Sequence, residues 1–186
     1  MKMISRKRLK DYRIDEQIND KGHVRSAAVY IGADYTLSPP VSASGKRFLF
    51  RLSVLAGLLF VGALIPATRT ARLMYIILPF TFSALPIFQM AGAAGSLLFA
   101  KDIMVRDRAE KISNRLPSCS LFTAILSGSA FSGLCITAAV SADGLITGDF
   151  IFGALSLALS LTATIIFIKC RHLKARRVEH DPPLLL

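Results

Sequence analysis

The side chains able to do chemistry are few in this chain, and their positions limit what they can do. There are three histidines, His23, His172 and His180, and three cysteines, Cys119, Cys135 and Cys170. A nucleophilic serine needs a base beside it. The serines at 127, 129 and 132 lie in a long apolar block that contains no histidine, lysine or acid. Paired intramembrane aspartates, a P-loop, HExxH and GxSxG are all missing from the sequence. The cysteines form no CxxC and share no metal-ligand spacing with His172 or His180. They read as small buried hydrophobes. The sequence therefore implies no catalytic residue, no metal site and no cofactor.

The elements around these groups explain why. The uncharged run from Leu73 to Ala100 organises the chain. About 20 apolar residues cross a bilayer as a helix, and this run would reach about 42 Å against a hydrocarbon core of about 30 Å. It must tilt or kink. Pro79 and Pro86 supply kinks on one face, because each removes a backbone donor. Gln89 follows, and Gly92, Gly95 and Ser96 make the far end slender.

Composition agrees with that reading. The chain has 186 residues, 53% of them hydrophobic and 19% charged, with a net charge of +11. The apolar residues sit in blocks and the charges between them, as in a multi-pass membrane protein. The fold class expected is an all-α membrane protein, a four-transmembrane-helix bundle with a small cytoplasmic N-terminal region. Residues 1–47 form that region, with a β-hairpin over 11–37 turning at Asn19-Asp20-Lys21-Gly22. Residues 48–168 form the transmembrane domain, with helices over 48–66, 73–100, 118–142 and 150–168. Residues 169–186 are a basic cytoplasmic tail. No apolar h-region lies near the start, so the first apolar block is expected to serve as both targeting signal and anchor. Between the second and third spans, the cytoplasmic segment 101–117 is expected to hold a short interfacial helix or a continuation of the second helix, stopped before Pro117.

Orientation follows from charge. Segments 1–47, 101–117 and 169–186 carry ten, five and five of the 23 Lys and Arg residues. That bias expects both termini in the cytoplasm of a cell-membrane protein. The positive charge reads as cytoplasmic loops, so no nucleic-acid partner is expected: the chain has no zinc-ligand spacing, RNP motif or basic recognition helix. The expected partners are the lipid bilayer and another membrane protein or a second copy of this chain.

Small and hydroxyl residues mark the packing faces. Gly92 and Ser96, Gly128 and Ser132, and Ser129 and Gly133 have small-xxx-small spacing. Ser156, Ser160 and Thr164 share a stripe on the fourth helix. Pro79, Pro86, Gln89, Ser129, Ser156 and Ser160 are accordingly the candidates for a solute or helix-packing site. Gln89 is expected to face protein rather than lipid, because a polar side chain in lipid needs a partner.

Four short helices resemble the small multidrug transporters. Those proteins rely on a membrane-embedded glutamate in the first helix, and residues 48–66 contain none. The leading expectation is a non-enzymatic accessory or structural subunit. The alternative is a small solute-permeation or binding subunit centred on the proline-kinked helix.

Overall fold

The computed structural model describes residues 12–18, 24–30, 34–66, 68, 73–100, 103–140 and 145–178. It is mostly helical, with a small amount of strand. Strands β1 (Tyr12–Ile18) and β2 (Val24–Tyr30) pair antiparallel, with Tyr12 opposite Tyr30 and Ile18 opposite Val24. The expected hairpin is thus present in its strands, and its Asn19–Gly22 turn lies outside the described residues. Strand β3 (Asp34–Ser38) belongs to a different sheet.

Helix α1 (Ala43–Ala63) starts earlier than expected, where the Ser42 hydroxyl accepts from the Gly45 amide. Next come α2 (Met74–Phe82) and α3 (Ala84–Leu98), separated by Ser83. Strand β4 (Met104–Val105) leads into α4 (Arg106–Glu110), a π-helical turn (Lys111–Arg115) and α5 (Leu116–Val140). Helix α6 (Thr147–Cys170) and strand β5 (Lys174–Arg177) complete the described chain.

Three helical stretches are long and apolar enough to cross a membrane: Met74–Leu98, Arg106–Val140 and Thr147–Cys170. Helix α1 is the weaker case. Lys46, Arg47 and Arg51 occupy its first half, leaving about 18 Å of uncharged helix from Arg51 to Ala63. The helices close a ring in which α1 touches α3 and α6, while α5 touches α2, α3 and α6. At its centre the Phe60 and Phe80 rings stack at 5.0 Å, and Phe152 meets Phe80 edge-on at 4.9 Å. Such aromatic pairs add about 0.5–1.5 kcal/mol beyond their burial.

One expectation about a helix end is corrected. The helix does not stop before Pro117: α4, the π-helical turn and α5 run continuously past it. The wider π spacing falls on the turn that a residue without an N–H cannot close in the ordinary way. Near the proline kinks two hydroxyls bond carbonyls of the preceding turn. Thr81 Oγ1 donates to the Ile77 carbonyl, and Ser83 Oγ to that of Phe80.

The three segments assigned to one side of the bundle meet in one small sheet of order β4–β3–β5, antiparallel throughout. Tyr35 pairs with Met104 on one side and Arg177 on the other, and Leu37 faces Ala175. Leu37, Met104 and Leu173 are buried in the same core as Ile112, Leu116 and Ile166. The sheet is therefore seated on one end of the bundle, here called the sheet end.

Candidate functional site

The bundle interior is where a solute path would have to run, and its polar groups are already committed. Helical serine and threonine can bond the carbonyl one turn back. Ser53 does so to Leu49, Thr123 to Cys119, Ser127 to Thr123, Ser156 to Phe152 and Thr162 to Ala158, at 2.6–2.9 Å. Among the described residues, no buried side-chain nitrogen or oxygen lacks a partner.

Among the described residues, two hydroxyl hydrogen bonds cross between helices. Ser160 Oγ donates to the Ala124 carbonyl at 3.0 Å, tying α6 to α5. Tyr75 Oη and Thr137 Oγ1 lie 2.7 Å apart, tying α2 to α5 at the opposite end of the bundle. A cross-helix polar contact in lipid contributes about 0.6 kcal/mol on average, enough to set a register.

The six candidate residues do not converge. Pro79 lies in α2, half-buried, and Pro86 is buried in the first turn of α3. Ser129 is exposed and bonds the Leu126 carbonyl in its own helix. Ser156 is buried, and Ser160 bridges to α5. Gln89 corrects its expectation: it is exposed on the flank of the bundle. Ile87, Met90, Ala94 and Leu97 point inward, and helical phase carries position 89 about 100° round from Met90, to the edge of that buried face. There Cys119 Sγ donates weakly to Gln89 Oε1 at 3.5 Å.

Glycines show which packing faces are real. A Cβ on Gly128 would lie 3.3 Å from Ser160 Oγ, and one on Gly133 would lie 3.0 Å from Ile76. Both expected α5 faces therefore meet a helix. Gly92 faces open space, so its spacing with Ser96 marks no interface here. Gly153 was not singled out from the sequence, yet a Cβ there would come within 2.6 Å of Leu134 Cδ2. Its signal is present, since Gly153 starts the small-residue series that continues through Ser156 and Ser160.

Two concave features adjoin on the α3–α5 flank. The first is an apolar groove of about 580 Å3, with Phe82, Leu85, Pro86, Phe122 and Leu126 as its apolar walls. Gln89 and Cys119 cross its middle, and Asn114 and Arg115 close its sheet end. The second is a polar notch in which Asn114 and Arg115 recur, beside Arg108, Lys111, Asp107 and Glu110. Arg106 Nε, from outside the notch, pairs with Glu110 Oε1 at 2.7 Å. Neither feature was legible as a site in sequence: the groove's walls come from helices that are apolar on every side, and the notch's charges alternate in sign along a short solvent-facing segment.

Asp149 is the third residue of α6. It is buried near the N-terminus of α6, and its Oδ2 accepts from the Ile146 amide at 3.1 Å. A carboxylate there satisfies a free helix-end donor and complements the dipole. Among the described residues, no three His, Cys, Asp or Glu side chains gather as metal ligands. No known protein family, curated protein or solved structure matches the chain.

Proposed function

We propose that this chain is a four-span integral membrane protein with both termini in the cytoplasm, and that it serves as a non-enzymatic accessory or structural subunit of a membrane complex. The membrane reading draws support from an inverted surface. Met74, Phe88 and Val140 are 74%, 75% and 80% exposed, while Ser53, Thr123, Ser127 and Ser156 are buried. Water would penalise so large an apolar exterior, and lipid does not. Helix α1 is the fourth span, with Arg51 snorkelling to the headgroups. The sheet end carries the basic segments and therefore faces the cytoplasm.

The observation that carries the accessory role is the filled interior. The Phe60–Phe80–Phe152 stack occupies the centre of the ring, and the buried hydroxyls spend themselves on carbonyls of their own helices. That arrangement holds a shape. The exposed face of the sheet and its basic segments remain as a docking platform for a partner. Affinity isolation in mild detergent tests this reading. A stoichiometric partner, or a second copy of the chain, is expected; a lone monomer would overturn it. The second reading, a solute-binding subunit, takes its support from the groove beside Pro86 and Gln89.

A further inference from the structure

We propose that the α3–α5 flank binds one anionic phospholipid, with an acyl chain in the apolar groove and its phosphate at Arg115 in the adjoining notch. The inference rests on the membrane reading above. The groove runs along the helices between largely apolar walls, crossed at its middle by Gln89 and Cys119, and its charged side chain, Arg115, stands at its sheet end. From Asn114 to Leu126 it follows about 18 Å of helix rise, close to one leaflet of a bilayer whose core is about 30 Å thick. Its open side faces the surface that would meet lipid, as the exposure of Leu85 and Phe122 shows.

Charge selects the headgroup. Arg115 and Asn114 line both features, so a molecule lying in the groove delivers its polar end to them. Arg108 and Lys111 stand in the same notch, opposed by Asp107 and Glu110. The Glu110 carboxylate is held from outside by Arg106, which leaves the notch net positive. A phosphate can take several donors from Arg and Asn there. Basic pockets at the cytoplasmic ends of membrane helices suit anionic headgroups for this reason. A soluble anion would have no use for the apolar floor, and a hydrophobic partner helix would have none for Arg115.

The test begins with carbonate washing of membranes from expressing cells; release of the protein would sink the membrane reading itself. Protein retained in the membrane is then purified in mild detergent, delipidated, and offered palmitoyl-oleoyl phosphatidylglycerol or phosphatidylcholine. Bound lipid is counted by native mass spectrometry. Phosphatidylglycerol should be retained roughly tenfold or more over phosphatidylcholine. The pair Arg115→Gln and Lys111→Gln should abolish that preference. Leu85→Trp, which fills the groove from an exposed position, should lower retention of both lipids. Melting temperatures of the lipid-free variants should match the parent, so a folding defect is recognised separately. Equal retention of the two lipids overturns the site, as does a preference unchanged by the Arg115 and Lys111 variants. A dimer that Leu85→Trp dissociates would assign the groove to a second copy instead and would equally overturn the proposal.

Discussion

Lys46 Nζ donates to the carbonyl of Ala100 across 2.8 Å, joining the first turn of α1 to the exit of α3. A lysine near a helix N-terminus works against the dipole, so its position needs another cause. The cause is the Ala100 carbonyl, which lies beyond the last turn of α3 and has no helical partner of its own. Lys46→Met keeps the stem and removes the donor. It should cost about 1–3 kcal/mol, because a partly buried carbonyl loses its bond to a charged group. Thermal unfolding in detergent measures this, and an unchanged midpoint would show that the contact contributes nothing.

Gly153 and Gly92 form a matched pair of tests. A Cβ at 153 meets Leu134 at 2.6 Å, whereas one at 92 meets nothing within 4 Å. Overpacking a tight interface costs about 1–3 kcal/mol, and a helical Gly→Ala change in open space gains about 0.5–1 kcal/mol. Gly153→Val should therefore destabilise the bundle, and Gly92→Ala should leave it equal or better. Parallel melting curves of the two variants decide the matter.

The contrast between those glycines shows what was legible. Long uncharged blocks announced the helices, and the strands flanking Asn19–Gly22 announced β1 and β2. The face each helix buries was harder to read. In a bundle apolar all round, the hydropathy of Phe88 and Phe80 is the same, yet one is 75% exposed and the other fully buried. Small and hydroxyl residues carry the inward signal instead, which is why Gly128 and Gly133 were found. Strand β5 reads Lys-Ala-Arg-Arg and shows no apolar alternation. Its pairing with β3 depends on backbone bonds and on Leu173 anchoring its start, so it was read as a plain basic tail. Pro117 was read as a stop because the π-helical turn that lets the helix continue has no composition of its own.

Asp149 should prove structural. Its carboxylate is buried and bonded to the Ile146 amide. Asp149→Ala leaves that amide without its acceptor and should cost about 1–2 kcal/mol, the usual range for a lost N-terminal cap. Asp149→Asn keeps an acceptor and should recover part of it. Hydrogen exchange at the Ile146 amide gives a local readout: faster exchange in the alanine variant than in the asparagine variant is expected, and equal rates would remove the capping role.

Topology is testable residue by residue. With Cys119, Cys135 and Cys170 replaced, single cysteines at Thr70 and Gly144 should react with a membrane-impermeant maleimide added to intact cells. Cysteines at Lys21, Arg108 and Lys174 should react only after the membrane is opened. Arg108 and Lys174 belong to segments that the β4–β3–β5 sheet gathers at one end of the bundle. They should therefore always behave alike. Labelling of either from outside would reverse or break the four-span arrangement.

The last prediction concerns Gln89. An inward glutamine with good partners would lose from substitution by leucine, because those partners would be left unpaired. The exposed position of Gln89 reverses that expectation. Its partner is the Cys119 thiol at 3.5 Å, and a thiol is a weak donor that tolerates going without. In lipid, leucine also avoids placing a polar amide against hydrocarbon. Gln89→Leu should therefore leave the midpoint in detergent unchanged or raise it slightly, within about 0.5 kcal/mol of the parent. Cys119→Ala tests the other half of the contact. If the bond matters, the two changes together should cost less than the sum of each alone. If it does not, the effects should add. A loss above about 1 kcal/mol from Gln89→Leu alone would mean that Gln89 turns inward in the membrane, and would return this position to the polar framework of the bundle.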